Sequence, residues 1–220
     1  MSIALSLGNN LTTGGIFKPT AVNNTSVNNV TDFAGIAGGG TLVLLSTQTA
    51  SASASISFTT GIDSTYDEYV FKFINIHGSA EAYFTFNMSV DGGSNYNVTK
   101  TTTTFETYHN EADGDQAVNY NTGADLAQGT GYQYLINTNH VGIENDESCS
   151  GYLHLFEPSS DTFVKHFIAR LNGYHKLDVT MDNYAAGYGN TTSAVNAVDF
   201  KMSSGNIDDG IIKMYGLVKS

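Results

Sequence analysis

The chain has 220 residues, of which 14% are charged, and its 21 Asp and Glu residues outnumber its 9 Lys and Arg residues to give a net charge of −12. Such a chain lacks the clustered basic residues that neutralise phosphates, which argues against nucleic-acid binding and against docking on anionic lipid. Cys149 is the only cysteine, so an internal disulfide framework is excluded. No apolar run reaches the roughly 18–20 residues of a membrane-spanning helix, and no membrane insertion is predicted.

The first 40 residues are predicted to form an extended N-terminal docking arm. Asn, Thr, Ser and Gly dominate this segment, and neither a helical nor a strand period persists in it. It has too little apolar surface to offset its ordering entropy alone, so it is either a floppy terminus or an arm ordered by lying on another subunit. We favour the second alternative, with Gly38–Gly40 as the hinge. The docking residues are Ile16, Phe17, Lys18, Pro19, Val22, Val27, Val30 and Phe33.

The charge is distributed unevenly along the chain. Residues 1–62 contain only Lys18 and Asp32 as charged groups, so the whole net charge falls on residues 63–220. This asymmetry predicts two surfaces with different roles, an uncharged arm for docking and an acidic head exposed to solvent.

After the hinge, the sequence predicts a single domain of strands over residues 41–220. The clearest strand is Ala82–Val90, in which apolar and polar residues alternate over nine positions. No window shows an amphipathic helix, so we expect an all-β fold, an antiparallel β-sandwich or jelly roll of about ten strands. The predicted strands are Leu42–Thr47, Ala54–Thr59, Glu68–His77, Ala82–Val90, Tyr96–Tyr108, Tyr132–Asn137, Gly151–Glu157, Phe163–Leu171, Val195–Met202 and Gly210–Lys219.

Two long polar interruptions, Asn110–Gly131 and Asn172–Asn190, are predicted to be loops. Loops longer than about 12–15 residues usually carry function or pack against a neighbour, so these two are the candidate binding surface. Exposed tyrosine is an efficient contact residue for sugars and proteins. The candidate contact residues are Tyr108, Tyr120, Tyr132, Tyr184 and Tyr188. The alternative is that half or more of these tyrosines belong to the core or to a sheet surface.

The sequence predicts no catalytic residues and no cofactor. It contains no GxSxG elbow, no Walker or Rossmann glycine loop and no spaced histidine pair. Glu111, Asp113 and Asp115 are weak candidates for a Ca²⁺ site, but they lack the EF-hand pattern, and we expect them to be solvated acidic residues. Paired carboxylates could hydrolyse glycosides, so a polysaccharide depolymerase is one alternative for the function, beside the two structural roles described below.

Several segments resemble a family of accessory virion proteins from marine tailed bacteriophages. Leu42–Ile76 is similar to the opening of that family, with an Ala/Ser run followed by the turn STYDEY and an apolar strand. The DGGSNY turn after Val90 and the segment SGYLHLFEPSS at Ser150–Ser160 resemble its central part. The segment FKMSSGNIDDGIIKMYGL at Phe200–Leu217 resembles its closing hairpin. Gly15–Thr20 resembles the arms that precede this module.

The resemblance implies a non-enzymatic virion structural protein that is made in the host cytoplasm and assembled into the phage particle. We expect a tail-associated fibre or appendage, homotrimeric, whose arm docks on a tail adaptor or nozzle protein. Its long loops would contact a host surface glycan or protein. The alternative is a capsid decoration protein, a cement or head fibre, whose arm clamps capsid subunits.

Overall fold

The computed structural model describes residues 42–136, 141–175 and 177–218, and within them the regular structure consists of strands. Twelve antiparallel strands form two sheets, which confirms the predicted all-β sandwich. The predicted docking residues, Ile16 to Phe33, lie outside the described residues, and the division into an arm and a domain stays a prediction. The strands are β1 (Leu42–Thr49), β2 (Ile56–Phe58), β3 (Glu68–Gly78), β4 (Phe84–Ser89), β5 (Lys100–Asn110), β6 (Gln116–Tyr120), β7 (Gln133–Tyr134), β8 (Cys149–Phe156), β9 (Lys165–His175), β10 (Val179–Gly189), β11 (Ala197–Met202) and β12 (Ile207–Leu217).

The two sheets differ in size. The larger has eight strands in the order β1-β12-β3-β8-β9-β10-β5-β6, and the smaller has four in the order β2-β11-β4-β7. We call the face of the eight-stranded sheet that points away from the core its outer face. Because the smaller sheet covers the other side, the outer face is the broad surface that the fold leaves open.

Aromatic side chains from both sheets meet in the core. Phe200 of β11 lies with its ring centroid 5.2 Å from those of both Phe71 and Phe73, which belong to the opposite sheet. Phe86 of β4 similarly contacts Phe167 of β9 at 4.8 Å. These residues alternate with outward-facing residues along their strands, which is how a period of two produces a continuous apolar layer between the sheets.

The prediction that Asn172–Asn190 is a loop is wrong. Strand β9 continues to His175, and β10 pairs with β9 on one side and with β5 on the other. The inward positions of β10 include Asn183, Ala185 and Gly187, which are polar or small, so the strand lacks the apolar alternation that marks the others. A Cβ at Gly187 would lie 2.5 Å from the carbonyl oxygen of Thr101, so the close approach of β5 requires this glycine.

The predicted loop Asn110–Gly131 is also partly a strand. Its residues 116–120 form β6, an edge strand that pairs with β5 through a hairpin turn. Together with β10, this strand accounts for the difference between the predicted ten strands and the observed twelve. The rest of the segment does consist of turns, and Leu126 donates a main-chain hydrogen bond to the Thr102 hydroxyl of β5 at 2.8 Å.

Candidate binding surface

A row of aromatic and charged side chains crosses the outer face of the eight-stranded sheet. Residues that lie directly opposite each other on antiparallel strands project from the same face. The register pairs Tyr120 with Phe105, Phe105 with Tyr184, Tyr184 with Arg170 and Arg170 with Tyr152. We call these five residues, which come from five neighbouring strands, the aromatic row.

The centre of the aromatic row is a stack of two rings and a guanidinium. The rings of Phe105 and Tyr184 are parallel, with centroids 4.5 Å apart and an angle of 5° between their planes. The Arg170 guanidinium carbon lies 5.0 Å from the Tyr184 ring centroid, which is a cation–π distance. Tyr184 therefore has an aromatic neighbour on one side and a cationic one on the other.

Asp182 fixes the position of Arg170. The guanidinium donates from Nε to Oδ1 at 3.0 Å and from Nη2 to Oδ2 at 2.6 Å, which is a bidentate arrangement. The Tyr184 hydroxyl donates to Oδ2 of the same carboxylate at 3.1 Å. Burial and the Asp182 carboxylate both raise the pKa of Tyr184, so its hydroxyl stays protonated and continues to donate.

Two shallow hollows flank the aromatic row along the strand direction. One has a volume of about 520 Å³ and lies over Ala186 and Gly187, where the side chains are small. The other has a volume of about 350 Å³ and lies beside Tyr152, with the polar groups of Ser150, Asn172 and Asp182 around it. A surface with aromatic walls, hydroxyls and a fixed ion pair can bind partners that combine apolar patches with hydrogen-bonding groups, such as sugars and polar protein surfaces.

Three of the five predicted contact tyrosines share this face. Tyr120 and Tyr184 belong to the aromatic row, and Tyr188 lines the larger hollow. Tyr108 instead packs against the core, with its hydroxyl 3.3 Å from Asp115. Tyr132 lies over the smaller sheet, where its hydroxyl donates to Asp199 at 2.9 Å. Tyr120, Tyr184 and Tyr188, which were assigned to loops, lie on strands β6 and β10, so that part of the prediction is wrong. A binding role for the five tyrosines stays a prediction.

Sequence reasoning missed Phe105, Arg170 and Tyr152. Each occupies an outward position of a strand that was predicted, so the period of two could have assigned all three to a sheet surface. Phe105 was the most visible signal, since it is the large apolar residue in the run KTTTTFET and is 41% exposed.

The acidic residues considered as weak Ca²⁺ candidates lie in the hairpin turn between β5 and β6. The Asn110 Oδ1 accepts main-chain hydrogen bonds from Gly114 and Asp115, and Asp113 Oδ1 lies 3.0 Å from Nε2 of His109. These contacts fix the connection between β5 and β6. In the part of the chain that the structure describes, no group of three or more His, Cys, Asp or Glu side chains is arranged to hold a metal ion.

The single cysteine is placed where it cannot act as a nucleophile. Cys149 is 1% exposed at the start of β8, and burial raises the pKa of its thiol to about 12. The thiolate is the reactive form of cysteine, and at neutral pH it is essentially unpopulated here.

No family model, no curated protein and no solved structure matches this chain. Among the described residues, no helix is long and apolar enough to cross a membrane.

Proposed function

We propose that this chain is a non-enzymatic phage virion structural protein, a tail-associated appendage that contacts the host surface through the outer face of its eight-stranded sheet. The observation that carries the contact role is the aromatic row, in which Arg170, Asp182 and Tyr184 fix one another on an open sheet face. Preordered aromatic and arginine side chains are typical of binding hot spots because little side-chain entropy is lost when a partner binds.

The positions of the resembling segments support a division between scaffold and contact surface. Leu42–Ile76, Ser150–Ser160 and Phe200–Leu217 supply most of β1, β2, β3, β8 and β12 and half of β11. Four residues of the aromatic row lie outside these segments, and only Tyr152 lies within one. A scaffold common to virion proteins would thus carry a contact surface particular to this chain.

The rest of the molecule supports assembly in a particle. The start of β1 exposes Leu42, Val43 and Leu44, with Leu44 52% exposed, directly after the proposed docking arm. Apolar residues that continue from the arm extend the surface available to a partner subunit. The arm would dock on a tail adaptor or nozzle protein, and the protein would assemble as a homotrimer.

The same exposed start of β1 also favours the alternative, a capsid decoration protein whose arm and first strand lie on capsid subunits. Quantitative mass spectrometry of purified particles distinguishes the two, because a tail carries few copies and a capsid surface carries many. Gold-labelled antibody should mark the tail if the proposal is right. A high copy number with label over the head would overturn the tail assignment.

Removal of residues 1–40 tests the arm. We expect the truncated protein to fold but not to enter particles, since it keeps the sandwich and loses the docking segment. Normal incorporation of this truncated chain would contradict the role of the arm.

A further inference from the structure

Two lysines are buried in one cross-strand row of the eight-stranded sheet. Gly189 of β10 pairs with Lys100 of β5 on one side and with Lys165 of β9 on the other, and both lysines are 0% exposed. Lysine is almost never fully buried without a partner for its charge. The ammonium of Lys165 finds main-chain carbonyls, including those of Ser160 and Phe163 at 2.6 Å. Lys100 has a different environment.

The Lys100 amine lies against a side-chain carboxamide. Its Nζ is 2.5 Å from Oδ1 of Asn87 and 2.7 Å from the carbonyl oxygen of Val98. Since a carbonyl bond is about 1.2 Å long, Nζ lies within about 3.7 Å of the Asn87 Cγ carbon. Reacting atoms in a near-attack arrangement are roughly 3–3.5 Å apart, so the amine and this carbon lie close to that distance.

The Asn87 carboxamide is itself held in place. Asn87 is 0% exposed, and its Nδ2 donates to the carbonyl oxygens of Tyr96 at 2.6 Å and Thr130 at 3.0 Å. Its Oδ1 also accepts a hydrogen bond from the main-chain nitrogen of Met88 at 2.9 Å. The group is thus fixed and excluded from bulk water, so water competes little with an attacking amine.

Burial favours the neutral form of the amine. It lowers the pKa of Lys100 from 10.5 to about 7, so a large fraction of the side chain is an unprotonated nucleophile at neutral pH. An exposed lysine is almost wholly protonated under the same conditions and cannot attack a carbonyl.

A carboxylate lies on the same sheet face as Asn87. Asp199 of β11 lies directly opposite Asn87 of β4, so the two side chains share one face and their Cβ atoms are about 5 Å apart. Asp199 is 2% exposed, and it accepts hydrogen bonds from Ser57 Oγ at 2.5 Å and from the Tyr132 hydroxyl at 2.9 Å. Ser57 and Tyr132 thus occupy its two oxygens and hold Asp199 as a fixed group beside Asn87.

We propose that Lys100 and Asn87 join in an intramolecular isopeptide bond, formed by the folded chain itself. The neutral Lys100 Nζ attacks Cγ of Asn87, and a nitrogen–carbon bond forms. One proton passes from Nζ to the carboxamide nitrogen, the old carbon–nitrogen bond breaks, and ammonia leaves. No oxidant, metal or further reactant is needed, because one amide replaces another.

The bond would connect the two layers of the sandwich. Asn87 belongs to β4 of the four-stranded sheet and Lys100 to β5 of the eight-stranded sheet. A covalent link here prevents the sheets from separating at this end of the domain. Such a link suits a protein that is assembled once and exposed to force, but the inference does not depend on a place in a virion.

Intact-mass spectrometry of the purified full-length chain under denaturing conditions tests the bond directly. We expect a mass lower than that of the sequence by one ammonia. Lys100→Arg should restore the full mass, whereas Lys165→Arg, which changes the other buried lysine, should keep the loss. A wild-type chain at its full sequence mass would overturn the proposal regardless of how the variants fold.

Cyanogen bromide cleavage locates the bond, because it cuts after Met88, between the two residues. The fragment that ends at Met88 and the fragment that ends at Met181 should remain joined in the wild type and separate in Lys100→Arg. If the wild type has lost one ammonia but its two fragments separate, the loss occurred at another asparagine, and the proposal is overturned. Asn87→Asp should lose one water instead and give a product with the wild-type mass.

Discussion

The ring of Phe105 stacks on the ring of Tyr184 with 4.5 Å between their centroids, and the two residues are direct partners in the register of β5 and β10. The pairing of the strands therefore sets this contact, and Arg170 extends it from the other side of Tyr184. Side chains held in this way are ordered before any partner arrives, which lowers the entropic cost of binding.

Tyr184→Ala tests the aromatic row as the contact surface. The substitution removes the ring between Phe105 and Arg170 and also the hydroxyl that binds Asp182, so we expect binding of the purified protein to host cells to weaken about tenfold or more, as at hot spots. Flow cytometry with labelled protein gives the measurement.

Phe163→Ala is the matched control for the aromatic row, since Phe163 is 64% exposed but lies on the turn before β9. Its removal should leave cell binding unchanged. Equal binding by Tyr184→Ala and wild type would remove the aromatic row from the proposed function.

Local patterns predicted much of the sandwich but not the contact surface. The strict alternation around Phe84 and Phe86 predicted β4, and both side chains are fully buried. Strand β10 was not predicted, because Asn183 and Gly187 occupy inward positions where a strand usually has apolar residues. The aromatic row could not be predicted from the sequence for another reason. Five strands contribute one residue each, and these residues are aligned only by the pairing of strands that are distant in sequence.

Phe200→Ala is expected to destabilise the domain by about 3–5 kcal/mol, the usual cost of removing a buried phenylalanine. Phe200 is 0% exposed and packs against rings from both sheets, so neighbouring side chains cannot fill the cavity without breaking other contacts. Urea unfolding followed by circular dichroism measures the loss. Phe163→Ala should change the free energy of unfolding by less than about 0.5 kcal/mol, and similar losses in both variants would contradict the central place of Phe200.

Cys149 is expected to resist alkylation in the native protein. Its thiol is buried and its pKa is raised to about 12, so iodoacetamide should react only when the domain opens. Mass spectrometry should find the native chain unlabelled and the urea-unfolded chain labelled once. Ser150→Cys places a second thiol on the outer face, and this thiol should react without unfolding. Rapid labelling of Cys149 in the native chain would show that the start of β8 is open.

Asp91 is expected to make the free energy of unfolding of the domain depend on pH in the acidic range. Its carboxylate accepts hydrogen bonds from the Asn95 side chain at 2.7 Å, the Ser89 hydroxyl at 2.7 Å and the Asn95 main-chain nitrogen at 2.9 Å. These bonds, first of all that of the Asn95 side chain, lower the pKa of Asp91 from 3.8 to about 2. Between pH 4 and pH 2 the unfolded chain therefore binds a proton at this residue that the folded chain does not. The contribution of Asp91 to stability is thus complete above pH 4 and is lost as the pH falls to 2.

Asp91→Asn should be less stable than wild type at neutral pH, because an amide cannot accept all three hydrogen bonds, and the difference should shrink between pH 4 and pH 2. Urea titrations at a series of pH values measure this convergence. Phe163→Ala changes an exposed side chain that carries no titratable group, so the difference between its free energy of unfolding and that of wild type should stay constant over the same range. If the free energy of unfolding of Asp91→Asn also differed from that of wild type by a constant amount at every pH, the hydrogen bonds of this turn would not be the source of the acid sensitivity.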